Sequence, residues 1–249
     1  MPLVGTRDVA SLAGDAPLVK DLASGPAELP GARILQVMYE IDERAITSLL
    51  PPALHPTIPP VVFFTITHAP ESPWGPFTLG EARAGCRSGA RPRSLSLRAY
   101  CDSPAAIETL RTRWGYPLFE AKVSLSKNYD RIGGSVQSDE GLILECGIRN
   151  PEPVSGNDVQ YMATLNVARI LRDGSELTRL IQVDPDYVFR GADRGQPQLT
   201  AFRAGAFGLE GAEPNHAVSA SYTVADISLP QLRYLVDPEK PPLQSVERL

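Results

Sequence analysis

Lysine is scarce in this chain. It has four, Lys20, Lys122, Lys127 and Lys240, against 20 arginines. Any chemistry that needs a lysine amine has only those places to reside. Cysteine is also scarce. Cys86, Cys101 and Cys146 stand far apart, without CxxC spacing. An odd, scattered set excludes a disulfide framework and a cysteine zinc site, and points to reduced thiols in a cytoplasmic protein. His55, His68 and His216 lack ligand spacing, so no metal site is expected. No GxSxG elbow, P-loop or GxGxxG precedes a helical pattern, which leaves acyl-transfer and nucleotide chemistry without a motif. No cofactor is expected. No apolar run has the length of a membrane span. The N-terminus lacks a basic stretch followed by an apolar one, so no secretory leader is expected. Net charge is -5 with pI near 5.3, and the basic face of a nucleic-acid binder is missing.

Turn residues are abundant: 24 prolines and 20 glycines are spread along 249 residues. They punctuate short segments of period-two alternation, the pattern of a β-rich protein. Residues 1–33 are rich in Pro, Gly and Ala and read as an arm packed on a single body, 34–249. Strands are expected at 35–41 and 60–69. A helix capped by Asp42 lies between them and ends at Pro51 and Pro52. Alternation over 78–87 and 94–102 predicts a hairpin with a loop of about six residues, 88–93. The clearest helix is 103–115. Ser103 caps it, Pro104 takes its first position, and Gly115 closes it, with Ala106, Ile107, Leu110 and Trp114 on one face. Strands follow at 118–126, 130–138, 142–150, 160–171, 176–184, 198–208 and 216–228. The Asp-Gly turn within 172–175 favours type I′. The expected fold is mainly β (α+β), one antiparallel sheet system closed around a cavity, with a few short flanking helices.

Two strands carry candidate chemistry. Glu81, Arg83 and Arg87 alternate and share a side. Facing solvent they form a charged strip. Facing a cavity, Arg83 pairs with a substrate carboxylate and Glu81 serves as general acid or base. Along 118–126, Leu118, Glu120, Lys122 and Ser124 share one face, and Phe119, Ala121, Val123 and Leu125 the other. Glu120 and Lys122 either pair in solvent or enter a cavity, where a desolvated lysine forms imines with ketones. Tyr116, Tyr129 and Tyr161 offer phenols for an oxygenated ligand.

Several segments taken in order resemble the acetoacetate decarboxylase superfamily: YEIDERAITSLLPPAL (39–54), GPFTLGEARAG (75–85), AYCDSPAAIETLRTRWGYP (99–117), YDRIGGSV (129–136) and HAVSASYTVADISLPQLRYL (216–235). The resemblance spans roughly 30–236. It implies a cone-like antiparallel β-barrel around a largely apolar cavity, and a homo-oligomer. It also implies two adjacent lysines directly after the Gly-aromatic-Pro turn, one forming an imine and the other lowering its pKa. Here those positions are Leu118 and Phe119. Lys122 lies four residues beyond Leu118, roughly 13 Å along a strand. Glu81 matches the family's cavity glutamate.

The expectation is therefore the family scaffold without its Schiff base: a cyclase of natural-product biosynthesis, acting on a hydrophobic polyketide-like substrate. Phe63, Phe64, Arg83, Tyr116, Leu118, Phe119 and Glu120 are the expected substrate contacts, with Glu81 and Lys122 as catalytic candidates. Two alternatives stay open: a keto-acid lyase using Lys122, and a non-catalytic binder of small hydrophobic acids.

Overall fold

Period-two alternation prevails, and the chain forms far more strand than helix. The structure, a computed structural model, describes residues 3–23, 25–89 and 91–249. Sixteen strands occur among them. They are β1 (Leu18–Val19), β2 (Ala27–Glu40), β3 (His55–Pro56), β4 (Val61–Ala69), β5 (Phe77–Ser88), β6 (Arg91–Cys101), β7 (Leu118–Glu120) and β8 (Lys122–Lys127). The rest are β9 (Arg131–Ser138), β10 (Gly141–Val154), β11 (Thr164–Arg172), β12 (Ser175–Val183), β13 (Asp186–Phe202), β14 (His216–Leu229), β15 (Tyr234–Val236) and β16 (Val246–Arg248). The α-helices are α1 (Val9–Ala13), α2 (Glu43–Leu49) and α3 (Pro104–Trp114).

The helix signals act as their chemistry dictates. The Asp42 carboxylate accepts from the backbone N–H groups of Arg44 and Ala45, and the Ser103 hydroxyl accepts from Ala106. Gly115 ends α3 in the left-handed region at φ 69°. Ala106, Leu110 and Trp114 are buried; Ile107 is only partly covered. At the β11–β12 turn, Asp173 and Gly174 both have positive φ, 52° and 77°, as type I′ requires.

The strands form one sheet in the order β16-β15-β12-β11-β6-β5-β4-β2-β14-β13-β10-β9-β8. Most neighbours are antiparallel; β1–β11, β11–β6 and β6–β7 are parallel. The sheet curls until β8 packs against β4, β5 and β6. Its end strands β16 and β8 do not pair, so the expected closed barrel is an unclosed curl. Alternation feeds two cores on opposite faces. One holds Leu35, Val37, Phe64, Ile66, Val123, Ile132 and Val136 inside the curl. The other holds Ile34, Leu79, Leu110, Trp114, Tyr116, Leu118, Ile181 and Ile227 beneath α3. Each fully buried large apolar side chain contributes roughly 1.5–3 kcal/mol.

Several sequence expectations change. The β5–β6 hairpin leaves only residues 89 and 90 between its strands, because Arg91, Pro92 and Arg93 extend β6; Ala90 lies outside the described residues. Residues 186–197, without an apolar alternation, are strand because β14 supplies backbone partners to 186–195 and β10 to 192–197. The first long strand starts at Ala27, so it crosses the expected boundary at 33/34. The segment 118–126 is split. β7 pairs with β6, the chain breaks at Ala121, and β8 pairs with β9.

Candidate functional site

β5 builds the site. Gly80, Ala82 and Ala84 point to the inner core, where a Cβ added to Gly80 would lie 2.4 Å from Val136 Cγ2. That small-residue face lets β8 and β9 close over the strand, and the opposite parity carries Leu79, Glu81 and Arg83. Register then aligns neighbours from distant sequence. Ser221, Gln36, Thr65, Glu81, Ala99 and Leu118 form one cross-strand row. Met38, Phe63, Arg83, Ser96 and Asn166 form the next.

Arg83 is 4% exposed and Glu81 6%. The guanidinium Nε stands 3.6 Å from Glu81 Oε1. Its Nη2 donates to Thr65 Oγ1 at 2.8 Å and to Gln36 Oε1 at 3.2 Å, and Nη1 donates to the Met162 carbonyl at 3.4 Å. The Phe63 ring lies under it, 5.9 Å from centroid to guanidinium carbon. Burial pushes the Glu81 pKa up, with the Arg83 charge opposing. Glu81 Oε2, Arg83 Nε, Ser96 Oγ and Thr164 Oγ1 are buried without hydrogen-bond partners. Unpaired buried polar atoms are costly, and a polar ligand that supplied the missing partners would relieve that cost.

The turn after α3 delivers Tyr116. Trp114 Nε1 donates to the Pro230 carbonyl at 2.9 Å, and Asn166 Nδ2 donates to the Trp114 carbonyl at 2.9 Å. At Gly115 a Cβ would lie 3.0 Å from Ala168 Cβ and 3.1 Å from Ile181 Cδ1, so the backbone passes where no side chain fits. Tyr116 then meets Tyr161 and Tyr187 around a cavity of about 60 Å³. Thr65, Thr67, Glu81, Arg83 and Thr164 complete its polar side. Leu29, Ile34, Phe77, Leu79, Leu110, Pro185, Ile227 and Leu229 form its apolar side. The Tyr161 hydroxyl shares a 2.8 Å hydrogen bond with Thr223 Oγ1. Burial raises the Tyr116 and Tyr187 phenols and lifts Tyr161 to about 12, so all three are neutral near pH 7. The cavity is far smaller than the roughly 300–1,000 Å³ typical of drug-sized ligands. The site can hold an oxygen atom on Arg83 and exchange a proton with it through Glu81.

Of the sequence candidates, Glu81, Arg83 and Tyr116 line this cavity, and Phe63 supports Arg83. Leu118 shares the row of Glu81 but is packed in the outer core beside α3. Phe64 faces the inner core against Phe202, 4.8 Å between centroids. Phe119 turns to the opposite face, under the Arg98 guanidinium at 4.6 Å. Glu120 and Lys122 are exposed in an open surface groove with Asp102 and Asp139. The break at Ala121 is the physical reason: Leu118 and Lys122 belong to different strands, so their sequence parity does not put them in one place. All four lysines are exposed, and no lysine lines the cavity. Tyr129 is fully exposed. Thr65 and Thr67 were readable from the parity of β4 opposite Phe64. Tyr187 was not, since its strand carries no alternation signal. Among the described residues, no three His, Cys, Asp or Glu side chains gather as a metal site, and no helix is long and apolar enough to cross a membrane.

The acetoacetate decarboxylase (ADC) family model matches residues 15–238, and the chain belongs to that family. Solved structures share the fold. The acetoacetate decarboxylase of Legionella pneumophila subsp. pneumophila str. Philadelphia 1 is 23% identical, with 84% of this chain and 86% of that one covered and a TM-score of 0.74. The enduracididine biosynthesis enzyme MppR, complexed with the condensation product of pyruvate and imidazole 4-carboxaldehyde, is 16% identical over 88% and 92%, with a TM-score of 0.70. An acetoacetate decarboxylase-like enzyme from Sphingomonas wittichii RW1 is 14% identical over 92% and 95%, with a TM-score of 0.69. No curated protein sequence matches the chain.

Proposed function

We propose that this protein is an acetoacetate decarboxylase-like enzyme that works without a Schiff base, a cyclase of natural-product biosynthesis that forms a ring by acid–base chemistry. One observation carries the reading: every lysine is exposed, while a Glu81–Arg83 pair is buried beside an internal cavity. Glu81, whose pKa burial raises, donates the proton of its acid form to a substrate carbonyl oxygen held by Arg83. An internal nucleophile of the same substrate closes on the activated carbon, and the carboxylate takes back the proton that the product releases. Atoms balance within one molecule, and the product has the mass of the substrate. Tyr116 and Tyr161, both neutral, orient further oxygens.

A hydrophobic substrate body is supported by a second hollow on the same sheet face. It is apolar, about 350 Å³, and lined by Met38, Ile58, Val61, Met162 and Val218 among others. Met38 shares a row with Phe63 and Arg83, and Met162 accepts from the Arg83 guanidinium. The oxygenated end of the substrate sits at Arg83 while the hydrocarbon body lies in this hollow. The cavity itself is only about 60 Å³, so only the reacting end enters it. That MppR holds a pyruvate condensation product on the same fold supports carbonyl chemistry in a biosynthetic setting. The alternative lyase using Lys122 draws no support from an exposed lysine.

The test is untargeted. Protein is incubated with extract of a strain lacking its gene, and metabolites are followed by mass spectrometry. A compound that converts to an isomer of equal mass with wild type, and not with Glu81→Gln, supports the cyclase. Loss of carbon dioxide restores the lyase. Tight capture with no conversion makes the protein a binding module.

A further inference from the structure

β6 has a divided outer edge. Residues Ser94–Ser96 pair in parallel with β11, and Ala99–Cys101 pair in parallel with β7. Between them the register slips: Ala82 faces Arg98 and Arg83 faces Ser96, so Leu97 is an extra, bulged residue. The bulge switches the parity of β6. Leu95 belongs to the inner core and Ala99 to the outer one. The sheet is therefore split at 97–98, where β11 and β7 part.

A pocket of about 90 Å³ lies at this split. Leu97, Arg98, Pro117, Phe119 and Val167 form its walls. Arg7, Ser11, Leu12 and Asp15 of the N-terminal arm form its roof. The arm is tied down by Asp15 Oδ2 to Arg98 at 3.1 Å and by Arg169 Nε donating to the Ala16 carbonyl at 3.0 Å. Its apolar packing runs through Leu12 and Ala16. Ser96 also lines this pocket, yet it stands beside Arg83 in the row that faces the substrate cavity. It is 2% exposed, and its hydroxyl has no hydrogen-bond partner. Glu81 Oε2 is likewise buried and unpartnered. Ser96 thus stands between the pocket and the strand face that carries Glu81 and Arg83.

We propose that Ser96 is a proton relay, joining Glu81 through the split in the sheet to the pocket beneath the N-terminal arm. The inference rests on the role proposed for Glu81. The Glu81 proton moves to Ser96 Oγ as the Ser96 hydroxyl releases its own proton to water in the pocket, where the Asp15 carboxylate or bulk solvent accepts it. The reverse sequence recharges the acid. A hydroxyl is both donor and acceptor, so each transfer breaks one O–H bond and makes one. The pocket is polar and large enough for water. Around Glu81 stand Arg83 on its own strand and the neutral phenols of Tyr116 and Tyr187. Around the pocket stand Arg7, Asp15 and Arg98. Arg83, the partner of Ser96 across the strands, stands two residues from Glu81 on the same face of β5, so the hydroxyl and the carboxyl are diagonal neighbours.

The test needs no substrate. Time-resolved infrared spectroscopy after a pH jump follows the carboxylic C=O band of Glu81, identified as the band absent from Glu81→Gln. Ser96→Ala is expected to slow deprotonation at least about tenfold, and Ser96→Thr, which keeps the hydroxyl, to restore it. Ser11→Trp, a change on the exposed arm that fills the pocket, is expected to slow it similarly with the equilibrium midpoint unmoved. Wild-type rates in Ser96→Ala or in Ser11→Trp would overturn the relay. Because the readout is proton exchange on Glu81 itself, that failure would leave the cyclase proposal standing, whereas failure of isomer formation would not touch these rates.

Discussion

Glu81 is expected to destabilise the fold at the pH where it works. Burial raises its pKa more than Arg83, 3.6 Å away, lowers it. The sign follows. The unfolded chain releases the proton at the ordinary carboxylate value, while the folded chain keeps it to higher pH. The stability that neutral Glu81 contributes is complete below the unfolded pKa and is lost as pH rises through the folded one. Replacing Glu81 by Gln removes the ionisation and keeps the shape. Within that window, stability of Glu81→Gln relative to wild type should climb by up to about 1.4 kcal/mol per pH unit, the limit for one proton. Above the folded pKa the difference should level off. The absolute offset depends on how the new amide meets Arg83, which retains Thr65, Gln36 and the Met162 carbonyl as acceptors. The slope does not depend on that offset, and other titrating groups cancel in the comparison. Urea unfolding at several pH values from 4 to 9 measures it, read by the fluorescence of Trp114 and Trp74. Parallel curves would refute the raised pKa. A difference growing in favour of wild type would mean that the Arg83 charge outweighs desolvation.

Three further outcomes are expected. Borohydride with acetoacetate should leave no adduct on any lysine peptide, and Lys122→Ala should retain any turnover that wild type shows; a stoichiometric mass increase at Lys122 would restore the imine reading. Gly115→Ala should cost about 1–3 kcal/mol, from left-handed backbone strain and contact with Ala168, and should weaken ligand binding by displacing Tyr116; unchanged unfolding midpoints would count against it. The buried thiols Cys86, Cys101 and Cys146, raised to about 12, 11 and 12, should not react with a thiol reagent at pH 8 until denaturant is added; rapid native reaction would contradict their burial.

Local chemistry is written in short stretches, and those parts were legible. Ser103, Pro104 and Gly115 mark both ends of α3, Asp42 starts α2, and Asp173-Gly174 turns a hairpin. Alternation placed Glu81 and Arg83 on one side of one strand. Tertiary structure decided which sides are enclosed. Nothing within nine residues can say that the segment 118–126 breaks at Ala121 to serve two different neighbours, which buries Leu118 and exposes Glu120 and Lys122. Nor can residues 186–197 reveal that β14 draws the stretch around Tyr187 into a strand that carries it to the cavity. Periodicity is a property of the local backbone. Enclosure is a property of register, and register is settled by cores that join residues far apart in sequence, as Ser221, Gln36, Thr65 and Glu81 are joined in one row.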